Sequence, residues 1–113
     1  MNLQNETVRD RRFLDSMFDD PYFPNPIVEK GVHILRNLCA KIESEKPGNL
    51  DALYKLTHAA TDEFNDLQEE FEENGSEFET GAREAIAEEF EVIAQAYGFE
   101  NADLEELIAT RDW

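Results

Sequence analysis

The chain has 113 residues, 41% of them apolar and 11% aromatic, with a formal net charge of −17. That length favours one domain with one core, and the apolar content argues against wholesale disorder despite the charge. The apolar runs are too short to span a bilayer, and the acidity argues against direct binding to nucleic acid or to an anionic membrane surface.

The charge is uneven. Residues 1–56 carry a net −1 and residues 57–113 a net −16. The start, Met1-Asn2-Leu3-Gln4-Asn5-Glu6, has no basic stretch leading into an apolar one, so no secretory signal is expected. The single cysteine, Cys39, has no intramolecular disulfide partner, and the cytoplasm is the expected compartment.

Residues 1–7 are polar and expected to fray. A first helix is expected over about Val8–Asp19, with Phe13, Leu14, Met17 and Phe18 at helical spacing. Asp20-Pro21 ends it, because proline disfavours helical geometry at the preceding residue. Pro21-Tyr22-Phe23-Pro24-Asn25-Pro26 forms a stiff connector. Asn25 reads as the N-cap of a second helix with Pro26 in its first position. Its apolar face is broad, running from Ile27 and Val28 through Val32, Leu35, Leu38 and Cys39 to Ile42, as befits a central helix. Cys39 lies on that face and reads as a small core residue rather than a nucleophile.

Asn49 caps a third helix, about Leu50–Glu73, whose seam is Leu53, Leu56, Ala60, Phe64, Leu67 and Phe71. Asn74-Gly75 breaks it. Ser76-Glu77-Phe78-Glu79 has capping-box spacing and is expected to open a fourth helix, with Ala82, Ile86, Phe90, Ile93 and Tyr97 inward and Gly98 past its end. Asn101 is expected to cap a short fifth helix carrying Leu104, Leu107 and Ile108. No sustained alternation marks a strand. The expected fold is all-α: one compact antiparallel bundle of four main helices plus a short C-terminal helix.

The words Leu56-Thr57-His58-Ala59-Ala60-Thr61-Asp62-Glu63-Phe64-Asn65-Asp66-Leu67, Asn74-Gly75-Ser76-Glu77 and Leu107-Ile108-Ala109-Thr110-Arg111-Asp112-Trp113 resemble a family of short bacterial proteins. The connector Tyr22-Phe23-Pro24-Asn25 is similar too. That family carries only a domain-of-unknown-function label. The resemblance spans nearly the whole chain beyond the first dozen residues and implies a bacterial origin. It brings no activity, substrate or site residue with it.

Two features of the third helix bear on function. Tyr54, His58, Thr61 and Asn65 stand at i, i+4, i+7 and i+11, one polar stripe beside the seam. This stripe reads either as a ligand pocket with His58 as its acid–base group, or as an interhelical hydrogen-bond network. Asp62, Glu63, Asp66, Glu69, Glu70 and Glu73 lie on an acidic face, extended on the fourth helix by Glu77, Glu79, Glu84, Glu88, Glu89 and Glu91. Arg83, the only basic residue between Lys55 and Arg111, is placed to pair with Glu79 at i, i+4.

Metal chemistry is not expected. His33 and His58 both lack a glutamate three residues earlier, and the pairs His58/Asp62 and Glu29/His33 supply only two ligands each. No nucleophile elbow, phosphate loop or dinucleotide fingerprint occurs, so no catalytic residue and no cofactor is assigned. The leading expectation is a non-enzymatic, acidic module that engages a basic protein partner, as an immunity protein or a mimic of a nucleic-acid backbone would. The alternative is a small enzyme or ligand binder that uses the polar stripe. Either a monomer or a homodimer built through Tyr22, Phe23 and Trp113 is compatible with the sequence.

Overall fold

A computed structural model describes residues 3–113 and shows an all-α molecule, with no strand among the described residues. Three long helices, α3 (Asn25–Glu45), α4 (Leu50–Glu73) and α5 (Thr80–Ala96), pack together. Three single turns complete the fold: α1 (Glu6–Arg9), α2 (Asp15–Phe18) and α6 (Leu104–Leu107). The apolar stripes read from the sequence converge on one core. Phe13, Leu35, Leu38, Leu53, Phe64, Phe71, Ile86, Phe90, Ile93 and Leu107 are almost wholly buried in it.

The helix boundaries follow local chemistry. Asn49 Oδ1 accepts the Ala52 amide at 2.8 Å and opens α4. Gly75 (φ +79°) and Gly98 (φ +88°) close α4 and α5 in the left-handed region. At each, the amide one residue past the glycine reaches back five residues, Ser76 to the Phe71 carbonyl and Phe99 to the Ala94 carbonyl, both at 2.9 Å.

Four boundaries differ from expectation. The expected helix over Val8–Asp19 is replaced by two single turns, Glu6–Arg9 and Asp15–Phe18; residues 10–14 between them are not helical, and Leu14 takes the left-handed conformation (φ +58°). Its apolar residues still reach the core: Phe13, Leu14 and Met17 are buried. Helix α3 starts one residue earlier than expected, with Pro24 in the cap position and Asn25 and Pro26 both helical. The capping-box reading at Ser76 fails. Helix α5 starts at Thr80, and Ser76 and Phe78 are buried in the preceding turn, where Phe78 packs on Phe71 at 5.1 Å. Asp103, not Asn101, caps α6, accepting the Glu105 amide at 3.0 Å.

Residues 3–7 are held in place rather than frayed; Met1 and Asn2 lie outside the described residues. Leu3 is buried, and Asn5 caps α1 while its Nδ2 donates to the Ala96 carbonyl at 2.7 Å. The Gln4 and Asn5 amides donate to the Glu43 carboxylate at 2.8 and 3.1 Å.

Candidate functional site

Tyr54, His58, Thr61 and Asn65 lie along α4, and their polar groups are engaged within the fold. Residues 103–113 run along it as a strap. The Tyr54 hydroxyl oxygen accepts the Asp103 amide at 3.1 Å, and His58 Nε2 contacts the Glu106 carbonyl at 2.6 Å. A carbonyl only accepts, so His58 Nε2 carries the proton. Thr61 Oγ1 donates to the Thr57 carbonyl at 2.8 Å and lies 3.4 Å from that of Leu107. Asn65 bonds the strap twice: Nδ2 donates to the Thr110 carbonyl at 3.0 Å, and Oδ1 accepts the Asp112 amide at 2.8 Å. Thr110 Oγ1 returns a bond to the His58 carbonyl at 3.3 Å.

These side chains therefore satisfy main-chain groups that strap residues would otherwise leave without partners. The strap's apolar anchors complete the attachment. Leu107 and Ile108 are buried, and Trp113 packs edge-on against Phe64 and Phe78 at 6.5 and 6.0 Å. Of the aromatics that suggested a homodimer, Phe23 is buried and Trp113 is half-buried, leaving Tyr22 as the exposed one.

The acidic row lies on the adjoining face of α4. Asp62, Asp66, Glu69 and Glu73 recur at steps of four, three and four, so they share one stripe about 16 Å long. All four are exposed, as is Glu63 beside them. None of these five has an ion-pair partner among the described residues. Glu70 differs: it is half-buried and pairs with Lys30 of α3. Arg83 makes no ion pair with Glu79 among the described residues; Glu79 is the N-cap of α5, and its carbonyl accepts the Arg83 amide at 3.0 Å.

One residue assigned to the acidic face belongs to the interior. Glu89 is only 4% exposed. Its Oε1 accepts Arg11 Nε at 2.6 Å and its Oε2 accepts the amide of left-handed Leu14 at 2.7 Å. Arg36 extends the cluster, donating Nη2 to the Arg11 carbonyl at 3.1 Å while its guanidinium lies 5.4 Å from the centre of the Phe13 ring. This network fixes the α1–α2 segment to α5. A signal for it exists in the sequence, since Glu89 stands three residues after Ile86 and four before Ile93, on the inward stripe.

A second missed carboxylate is Glu43, which accepts the Gln4 and Asn5 amides and the Tyr97 hydroxyl. Partial burial pulls the Glu43 carboxyl upward, but the three hydrogen bonds hold it below the usual carboxylate range. Burial, and then the bond to Glu43, push the Tyr97 hydroxyl far above the ordinary phenol range. Cys39 lies beside them, and burial pushes its thiol up to about 12, so it stays protonated and unreactive at neutral pH.

No group of three or more potential ligands for a metal ion occurs among the described residues, and His58/Asp62 and Glu29/His33 gather no third donor there. No described helix is long and apolar enough to cross a membrane.

The model of the Family of unknown function (DUF5713) matches residues 7–113. The chain belongs to this family. The match begins within α1 and runs to the end of the strap, so the polar stripe on α4, the acidic row and the Glu89 cluster all lie within it. Neither a curated protein nor a solved structure matches the chain.

Proposed function

We propose that this chain is a protein-binding module whose α4 carboxylates engage a basic partner. One observation carries the reading: Asp62, Glu63, Asp66, Glu69 and Glu73 are exposed and have no cationic partner among the described residues. The polar stripe next to them is occupied by the strap, so from Asp62 to Glu73 the charged groups α4 leaves facing solvent are carboxylates.

Such a row works through its field. Like charges three or four residues apart on a helix cost about 0.2–0.5 kcal/mol per pair, so the row costs little to maintain. Facing a surface of lysines and arginines, the same charges act together. They steer encounter and raise the association rate, and salt weakens them.

The test is a paired capture experiment. The native protein and a variant carrying D62N, E63Q, D66N, E69Q and E73Q are immobilised side by side and exposed to lysate at low and high salt. A basic protein held by the native form, lost from the variant and released by salt is the expected result. Identical retention profiles for the two forms would reject the proposal.

A further inference from the structure

The structure carries a second site, unrelated to the acidic row, at the end of the bundle where α3 and α5 finish. A cleft of about 400 Å3 opens there, with Ile42, Glu43, Lys46, Pro47, Tyr97 and Phe99 among its walls. We infer that this cleft binds a small organic cation with an apolar body, such as an aromatic or quaternary amine, with Glu43 as its counter-ion.

Four observations lead there. The volume and the mainly apolar, aromatic walls are those of a small-molecule site with few polar groups. Among the described residues no cation pairs with Glu43: its three hydrogen-bond donors, two amides and a phenol, are all neutral. Lys46, three residues on, makes no ion pair with it among the described residues; it is the C-cap of α3, in the left-handed conformation (φ +49°). Lys46 is exposed, and a lysine so placed keeps its head in water while its stem covers apolar surface.

Tyr97 and Phe99 add aromatic surface, which attracts organic cations more strongly than water-like ions. Finally, the net charge of −17 concentrates cations around the molecule and disfavours anions. Those same neutral donors keep the carboxylate oriented before any ligand arrives, so little ordering is needed on binding.

The experiment is an NMR titration of the full chain with phenyltrimethylammonium, with benzoate as the shape-matched anion. Saturable shifts confined to the amides of Lys46, Gly48, Gly98 and Phe99 are expected below about 10 mM, in the range of a weak fragment complex. Benzoate should leave those amides unmoved. Glu43→Gln should weaken the cation about tenfold, and Phe99→Leu, which keeps the volume without the ring, several-fold. Absence of saturable shifts, shifts spread over the carboxylates of α4, or equal binding of benzoate would overturn the inference. The comparison of the two probes uses the native protein alone, so it stands even where a variant loses the anchor on residues 4 and 5.

Discussion

Replacing Glu89 by alanine removes the carboxylate that joins the α1–α2 segment to α5. The Leu14 amide loses its acceptor inside the protein, which costs about 1–3 kcal/mol. Arg11 loses its partner too, but its side chain is 34% exposed, so water recovers much of that loss and about 1 kcal/mol remains. The vacated methylenes leave a small void worth about 1 kcal/mol more. The sum is about 3–5 kcal/mol, a large share of the total stability of a domain this size. Urea denaturation followed by circular dichroism should show it as a lowered midpoint, and thermal melting as a drop of about 12 °C or more. Glu89→Gln, which keeps one acceptor oxygen, should lose about half as much. If Glu89→Ala unfolds within about 0.5 kcal/mol of the native protein, the account of this cluster is wrong.

Asn65→Ala breaks two bonds to the strap and should cost about 1–2 kcal/mol, with hydrogen exchange at the Asp112 amide accelerated more than exchange in α3. Gly31→Ala places a Cβ 2.9 Å from Leu14 Cδ1 and 3.3 Å from Phe64 Cε1. Overpacking of about 1–3 kcal/mol outweighs the helix-propensity gain of about 1 kcal/mol, so the melting temperature should fall. Glu43 supplies a pH dependence. Its carboxyl titrates lower in the folded state than in the unfolded one, so its contribution is present above the unfolded value of about 4.3 and lost as pH falls through the folded one. Urea midpoints taken from neutral pH down into the acid range should drop less steeply for Glu43→Gln than for the native protein.

The long helices were legible because their seams repeat over many turns, and because Asn49, Gly75 and Gly98 punctuate them with residues suited to caps and left-handed turns. The segment before α3 was not. Phe13, Leu14, Met17 and Phe18 do have helical spacing, but spacing records which residues face the core and not the path between them. A bond from the Leu14 amide to a side chain 75 residues away decides that path. Capping signals at Ser76 and Asn101 misled for a related reason: burial of Phe78 and the cap at Asp103 outweighed local preference. The polar stripe of α4 was visible as a pattern, and Leu107 and Ile108 marked the strap as packed, but its pairing with the stripe was not legible because most of those bonds are made by the strap's main chain.

That mode of attachment has a kinetic consequence. The strap's bonds to α4 join positions 45 to 52 residues apart, and they need α4 to be formed already. Docking is therefore expected after the transition state, when the three long helices have collapsed. Weakening the strap's bonds at Asn65 should leave the refolding limb of a chevron in place and raise only the rate of escape from the native state. The strap then acts as a brake on unfolding rather than a guide for folding.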